Sequence, residues 1–142
     1  MKYVIDTSAL INIVLKFYKK DLNFINRLIK ESIFPDLIFY EIGSYLKKYY
    51  LKKYKRITKI PNNDNEIKEM TELFNYIIEK AKIDEVRLNC EIIDLSIKEE
   101  LSYYDAVYLY LARKYNLILI SDDIDLIEKG AISSDNLLRN FK

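Results

Sequence analysis

The scarcity of glycine and proline constrains the fold of this chain most strongly: each occurs only twice in 142 residues. These two residue types make the tight turns and bulges that connect short strands. Their scarcity disfavours a fold of many small strands and favours helices joined by short connections. A chain of this length is the size of one domain with a single buried core, so we expect one domain over residues 1–142.

The apolar pattern predicts strands that are separated by helices. Residues 2–5 and 117–120 are short apolar runs typical of buried strands, and residues 82–89 are ambiguous, with a short strand as one interpretation. Helices are predicted over residues 9–17, 21–30, 36–55, 65–80 and 91–99, and another begins at Ser102. This alternation is typical of a three-layer α/β/α fold with a short, mainly parallel central sheet.

Local signals refine the long helix that is predicted over residues 36–55. Its start is predicted from Pro35 and Asp36, which are typical of a helix N-terminus. Gly43 lies inside it and costs about 1 kcal/mol relative to alanine, so we expect close packing at that point. Residues 61–64 (Pro-Asn-Asn-Asp) then form the clearest loop in the sequence.

The absence of histidine restricts the possible chemistry most. It excludes histidine-based triads, histidine phosphorelays and the common zinc sites. The single cysteine, Cys90, excludes a four-thiolate site and an internal disulfide, and is compatible with a reducing cytosol. No apolar run approaches the roughly 20 residues of a membrane span, so we expect a cytoplasmic protein without a membrane partner.

Two acids follow directly after the two clear strands. Asp6 ends the first strand and Asp123 follows the second, and the carboxyl ends of parallel strands are where ligands bind in α/β sheets. In the alternative interpretation, Asp6 caps the helix that begins near residue 9. Asp122, Asp123 and Asp125 are also all good turn residues, which leaves open which of them points inward.

Two further acids lie on predicted helices. Glu41 shares a helical face with apolar neighbours, so it needs a cation or a raised pKa if it is buried. A single salt bridge to a lysine, or a position at the edge of the core, is the alternative. Asp105 follows Ser102 by three residues, as in a helix-capping box. The rest of that helix is apolar on every side, so its start is expected to lie deep, beside a polar cavity.

If these four carboxylates converge, their charges repel unless a cation lies between them. Oxygen ligands without imidazole or thiolate suit Mg²⁺ or Mn²⁺. Magnesium takes few protein ligands and leaves positions for a phosphate and for water. The chemistry that follows is hydrolysis of a phosphate ester by a metal-activated water.

Segments around the four acids resemble the motifs of the PIN-domain ribonucleases, in the same order and spacing. They are residues 3–11 (YVIDTSALI), Glu41 after Pro35, residues 101–109 (LSYYDAVYL) and residues 119–126 (LISDDIDL). The third is very similar to the family pattern LS-x-YDA-x-YL and is the most specific. The family usually carries threonine where Ser121 stands, and the neighbouring acids Asp122 and Asp125 weaken the assignment of the fourth ligand to Asp123.

The resemblance implies a PIN-like fold and a Mg²⁺-dependent (or Mn²⁺-dependent) endoribonuclease. By it, Asp6, Glu41, Asp105 and Asp123 are the catalytic and metal-binding residues, and the hydroxyls of Ser8 and Ser121 orient carboxylates. Chains of this length that are nearly all PIN domain resemble the VapC-type toxins of toxin–antitoxin pairs. That subclass implies an RNA substrate, a small antitoxin partner and a homodimer.

A basic run continues the helix of Glu41 and has no acid in it. Its residues are Lys47, Lys48, Lys52, Lys53, Lys55, Arg56 and Lys59, and tyrosines, among them Tyr45 and Tyr49, are interleaved. All but Lys59 are candidate RNA contacts, since lysines can follow a phosphate backbone and tyrosines can stack on bases. We expect charge reversal at Lys52, Lys53 and Lys55 to weaken RNA binding. A surface for a partner protein is the alternative.

Two rival functions differ in class. A phosphatase of the haloacid dehalogenase kind needs a second aspartate two residues after the first, where this chain has Ser8. A module that keeps the PIN fold and binds RNA or protein without cleavage is the other rival. The presence of all four acids favours the nuclease.

Overall fold

Four short strands form one parallel sheet in the computed structural model, which describes residues 1–53 and 64–140. The strands are β1 (Tyr3–Ile5), β2 (Ser32–Pro35), β3 (Lys82–Asp84) and β4 (Ile118–Ile120). They lie in the order β3-β2-β1-β4, and all neighbouring pairs are parallel. The predicted α/β fold with a short, mainly parallel sheet is confirmed.

Eight helices join and cover these strands within the described residues. They are α1 (Thr7–Phe17), α2 (Leu22–Lys30), α3 (Leu37–Lys53), α4 (Asp64–Ile78), α5 (Cys90–Glu99), α6 (Tyr103–Tyr115), α7 (Ile124–Ile127) and α8 (Ser134–Asn140). Parallel strands are joined by right-handed crossovers. The chain steps one way from β1 to β3 and then returns to β4, so α1–α4 and α5–α6 lie on opposite faces. In agreement, α6 contacts β1, β2 and β4, and α5 packs against α6.

The strand β2 was not predicted, and the helix predicted from residue 36 begins one residue later. Pro35 is the last residue of β2, and α3 begins at Leu37. All of β2 is buried between β1 and β3. The buried hydroxyl of Ser32 donates to the carbonyl of Leu28 at 2.7 Å, which allows a polar residue in the centre of the sheet.

Two other local expectations differ from the structure or lie outside it. Gly43 is not a point of close packing, because a Cβ atom added there would have no atom within 4 Å. The expected loop over residues 61–64 lies outside the described residues, except for Asp64, which begins α4. The ambiguous stretch over residues 82–89 begins with the short strand β3.

Side chains and left-handed residues end the helices in place of glycine and proline. Asp6, Asp21, Asn89, Ser102 and Asp123 are N-caps that accept backbone N–H groups. The C-caps of α5 and α6 are Glu100 and Asn116, with φ of 54° and 53°, in the region that glycine usually fills. Of the two glycines, Gly43 lies inside α3 and only Gly130 lies in a turn.

The core lies on both faces of the sheet, and few polar groups enter it. The central strand β1 is buried along its whole length, and so is most of α6. Of the four buried polar side chains among the described residues, Asp6 and Ser121 directly follow β1 and β4. In the same part of the chain, no helix combines the length and apolarity that a membrane crossing requires.

Candidate metal centre

The adjacent carboxyl ends of β1 and β4 create the site. Ile5 pairs with Ile120, so the next residues, Asp6 and Ser121, emerge side by side at one edge of the sheet. The backbone N–H of Asp6 still donates to the carbonyl of Ile120 at 2.9 Å, which extends the ladder by one residue. The first acid is therefore fixed at its backbone by the sheet itself.

The carboxylate of Asp6 is 5% exposed and accepts three hydrogen bonds. Ser8 Oγ and the backbone N–H of Ala9 donate to Oδ1 at 2.8 and 3.0 Å, and Ser121 Oγ donates to Oδ2. Burial raises the pKa of Asp6 although these bonds oppose the shift. Asp6 therefore caps α1 and also lines the cleft described below.

Ser8 and Ser121 also fix the chain that follows β4. Ser8 Oγ accepts the N–H of Asp122 at 3.1 Å, and Ser121 Oγ accepts the N–H of Asp123 at 2.9 Å. Each hydroxyl thus connects the carboxylate of Asp6 to the backbone of the turn. A movement of that turn would change the orientation of Asp6.

Glu41 lies half-buried on α3 and is held by two hydroxyl groups. Thr7 Oγ1 and the hydroxyl of Tyr108 donate to Oε1 of Glu41 at 3.0 and 2.5 Å. Among the described residues no lysine pairs with Glu41, so the alternative of a salt bridge finds no support there. Burial and the Glu41 carboxylate both raise the pKa of Tyr108, which keeps its proton and remains a donor.

Asp105 lies in the first turn of α6, and its N–H donates to Ser102 Oγ at 3.1 Å. Burial raises the pKa of its carboxyl to about 6, and the negative charges of Asp123, Asp6 and Glu41 contribute to the same shift. The other three predicted acids are therefore close enough to Asp105 for their charges to act on it. All four line one open cleft of about 720 Å³.

The acids after β4 have different surroundings. Carboxylate oxygens of Asp105, Asp123 and Asp125 lie within 4.8 Å of one another, close enough to share an ion. Asp6 and Glu41 line the same cleft but fall outside this tight group. Asp125 therefore joins Asp123 as a candidate ligand.

Asp122 is occupied by contacts with the fold. Its Oδ2 accepts from Asn12 Nδ2 at 2.7 Å and from Ser134 Oγ at 2.6 Å, and its Oδ1 accepts the N–H of Ser134 at 2.8 Å. Both oxygens thus hold the turn to α1 and α8. This geometry favours Asp123 over Asp122 as the residue available to a ligand.

The donor set of the cleft fits a hard divalent cation. It offers carboxylates and hydroxyls without any imidazole or thiolate, the ligand type of Mg²⁺ and Mn²⁺. Burial raises the pKa of Asp105, and the neighbouring acids add to that shift because like charges repel when they lack a counter-ion. A cation held between them would relieve that repulsion.

The predicted basic run is only partly brought to the cleft. Lys48 lines it. Lys47 and Lys52 are exposed on α3 and are not among its lining residues, and Lys53 pairs with Glu66 of α4 at 2.5 Å. Lys55 and Arg56 lie outside the described residues. Among the predicted RNA contacts that the structure describes, Lys48 is therefore the best placed.

Sequence reasoning missed several residues of the cleft. Thr7, Asn12, Tyr40, Tyr104 and Tyr108 line it, and Tyr40 and Tyr104 are 77% and 59% exposed. Thr7 adjoins Asp6, and Tyr104 and Tyr108 lie next to Asp105 in sequence or one turn away. This proximity on their helices was the available signal.

Comparisons with known proteins agree with this architecture. The PIN domain family model matches residues 3–132. The crystal structure of PAE2754 from Pyrobaculum aerophilum is similar, with a TM-score of 0.76 and 23% identity over 99% of this chain and 96% of that chain. No curated protein matches the sequence. Because the family match spans most of the chain and includes all four predicted acids, this chain belongs to the PIN domain family.

Proposed function

We propose that this protein is a metal-dependent endoribonuclease that hydrolyses the phosphodiester bonds of RNA. The observation that carries the proposal is the convergence of Asp6, Glu41, Asp105 and Asp123 in one cleft, from four separate parts of the chain. In the proposal these four residues hold Mg²⁺ or Mn²⁺, with Asp125 as a further candidate ligand. When bound there, the ion would activate water for attack and offset the charge of the phosphate.

The residues of the chain supply orientation in this proposal. Ser8, Ala9 and Ser121 fix both oxygens of Asp6, so its carboxylate is set in place before a ligand arrives. Asp105 comes from the first turn of α6, and Asp123 is the N-cap of α7. A phosphate would lie where these carboxylates meet, in the open part of the cleft.

Exposed side chains at the rim are suited to RNA. Tyr40, Tyr45 and Tyr104 line the cleft and are between 38% and 77% exposed. Exposed aromatic rings stack on unpaired bases, which contributes about 1–3 kcal/mol for each base. Lys48 adds a positive charge for the phosphate backbone beside them.

We also propose that the protein is a VapC-type toxin, as the sequence resemblance implies. A small antitoxin would then block the cleft, and two copies of the chain would form a homodimer. The openness of the cleft to solvent is compatible with a partner segment that enters it. Purification of the protein with and without its genomic neighbour would test this subclass.

Cleavage of labelled single-stranded RNA by the purified chain tests the proposed activity. We expect cleavage with Mg²⁺ and none with EDTA. Asp6→Asn should lose at least about 100-fold, because replacing residues that only support a metal ligand already costs 10–100-fold. Asp94→Asn is a matched control, since Asp94 is exposed on α5 and pairs with Lys98 away from the cleft.

Two outcomes would contradict the proposal. Cleavage that persists in EDTA would remove the metal from the mechanism, and full activity of Asp6→Asn would remove the acid cluster. RNA binding without any cleavage would favour the rival, a PIN-fold module that only binds.

A further inference from the structure

We propose that Tyr108 is a positioning residue for the proposed metal centre, and that its hydroxyl acts by fixing Glu41 together with Thr7. The inference rests on the proposed function, in which Glu41 is one of the metal-holding acids. It assigns a role to two side chains that offer no charge and that the metal chemistry itself does not require.

The three groups form a closed contact between distant parts of the fold. Tyr108 and Thr7 donate to the same atom, Glu41 Oε1, and their own oxygens lie 3.1 Å apart. Thr7 begins α1 beside Asp6, Glu41 lies on α3, and Tyr108 belongs to α6 on the opposite face of the sheet. The contact therefore joins both helical layers above the ends of the strands.

The donors leave one oxygen of Glu41 for the cleft. Each hydroxyl carries a single proton, and both protons point to Oε1 when both groups donate. In the described part of the chain, Oε2 of Glu41 has no protein donor. The carboxylate is thus held by one oxygen, while the other remains available to a cation.

The burial of Tyr108 distinguishes it from an ordinary surface hydroxyl. The residue is only 1% exposed, so the packing around it limits the rotamers of its ring. Glu41, in contrast, is a long and only half-buried side chain on a helix whose face is partly open to solvent. A long acid gains most from a fixed donor, because otherwise its rotamers would be ordered only when the ion binds.

A simpler explanation is that the buried tyrosine only needs a hydrogen-bond partner. In that case the loss of its hydroxyl would affect stability and would leave metal binding unchanged. A role through Glu41 predicts instead that the effect of Tyr108 depends on the presence of Glu41. The two explanations therefore differ in whether the effect of removing the Tyr108 hydroxyl on metal binding changes when Glu41 is also replaced.

The test compares Tyr108→Phe with Tyr110→Phe, in wild-type and Glu41→Ala backgrounds. Tyr110 is the control: it lies two residues after Tyr108 on the same helix and does not line the cleft. Its hydroxyl accepts a hydrogen bond from Asn89 Nδ2 at 3.3 Å. Mn²⁺ affinity is measured by calorimetry, RNA cleavage by kcat and KM, and folding by thermal melting. Thr7→Val and Thr7→Ser extend the comparison to the second donor.

We expect Tyr108→Phe to weaken Mn²⁺ binding and kcat by about 10–100-fold, the range for residues that orient metal ligands, with a smaller change in KM. Tyr110→Phe should match the wild type. In the Glu41→Ala background, Tyr108→Phe should have no further effect. Thr7→Val should lose activity, and Thr7→Ser, which keeps the hydroxyl, should recover it.

The inference is overturned if Tyr108→Phe binds Mn²⁺ and cleaves like the wild type while Glu41→Ala is impaired; the proposed function would then stand. Equal losses from Tyr108→Phe in both backgrounds would also overturn it, since the effect would not pass through Glu41. Coupled loss of Mn²⁺ affinity without any RNA cleavage by the wild type would support the inference and contradict the proposed nuclease. A wild-type chain that neither binds Mn²⁺ nor cleaves RNA overturns both.

Discussion

Single carboxylates in the cleft are held in different ways, and their stability effects differ accordingly. Asp6 is buried and receives three hydrogen bonds that offset its burial only in part. Asp105 is half-buried, and like charges surround it. Ionisation of Asp105 is therefore less favourable in the folded protein than in the unfolded chain.

We predict that Asp105→Asn stabilises the metal-free protein near neutral pH. The folded protein raises the pKa of Asp105 from 3.8 to about 6, so it holds the proton more tightly than the unfolded chain does. The resulting penalty is absent below 3.8, develops as pH rises, and is complete above about 6. Allowing for solvent screening of a half-exposed group, the gain is about 1 kcal/mol, or about 3 °C in Tm.

Thermal melting with and without metal checks this prediction. The advantage of Asp105→Asn should vanish as pH falls below 3.8, where both states of the wild type are protonated. Saturating Mg²⁺ should reverse the order, because an ion that binds only the folded wild type stabilises it. A variant that is less stable than the wild type in EDTA near neutral pH would contradict the account.

Asp122 is predicted to serve the fold and not the ion. Asp122→Ala removes the acceptor for Asn12 and for the N–H and hydroxyl of Ser134, so it should destabilise the protein by about 2–3 kcal/mol in denaturant titrations. Mn²⁺ affinity should change only a few-fold. Asp135→Ala, at an exposed position on α8, is the control and should change stability by less than about 0.5 kcal/mol. Loss of Mn²⁺ binding at unchanged stability would instead identify Asp122 as a ligand.

The positions of the acids could be predicted from sequence, but their partners could not. Asp6 and Asp123 stand out because they follow apolar runs, and Glu41 because it lies among apolar neighbours. The contact of Glu41 with Tyr108 joins residues 67 positions apart, and that of Asn12 with Asp122 spans 110. Such pairs depend on how helices pack across the sheet, which local pattern does not encode.

Among the secondary-structure elements, two helices end in a residue other than glycine in the left-handed conformation. Glu100 ends α5 in the left-handed region at φ 54°, where a side chain with Cβ is strained. Asn116 ends α6 at φ 53°, and asparagine tolerates that conformation better. The two C-caps therefore form a natural comparison.

We predict that Glu100→Gly stabilises the protein by about 1 kcal/mol, because glycine adopts the left-handed conformation without strain. Asn116→Gly should gain less, about 0.5 kcal/mol or below. Denaturant midpoints at constant m-value check both changes. A larger gain from Asn116→Gly, or a loss at Glu100, would contradict the explanation by backbone strain.

The strand β2 was not predicted because it is too short to show a clear pattern of apolar residues. The four residues of β2 include Ser32 and Pro35, so the run lacks the continuous apolar character of a buried strand. Ser32 is tolerated because the carbonyl of Leu28 accepts its proton, and Pro35 because it closes the strand. The longer helices, with several turns of apolar spacing, were predicted to within a few residues.

At the scale of the whole molecule, strand order sets the location of the site. The chain leaves β1 towards β2 on one side and returns to β4 on the other, so a crevice opens between the ends of β1 and β4. Asp6 and Asp123 enter this crevice from the two strands, and α3 and α6 bring Glu41 and Asp105 to it. The fold class could be predicted from the alternation of strands and helices, but the order of the strands needed the structure. The assignment of residues 1–142 to one domain stays a prediction.

The charge at the rim gives a prediction about RNA binding. Lys48→Glu should weaken the binding of single-stranded RNA. It should also reduce the slope of log affinity against log salt concentration by about 1, the value for one phosphate contact. Lys52→Glu, on the same helix but outside the cleft lining, should have a smaller effect. Fluorescence anisotropy over a salt series measures both. Equal effects of the two variants would contradict the assignment of RNA to the cleft.

The most direct test of the central claim is anomalous diffraction from crystals of the protein soaked in Mn²⁺. We expect an anomalous peak in the cleft, at a coordination distance of about 2 Å from carboxylate oxygens of Asp6 and of Asp105 or Asp123. The peak should be lost in Asp6→Asn crystals and retained in Asp94→Asn crystals. A cleft without a peak in well-diffracting wild-type crystals, or a peak that persists in Asp6→Asn, would contradict the claim that these acids form a metal centre.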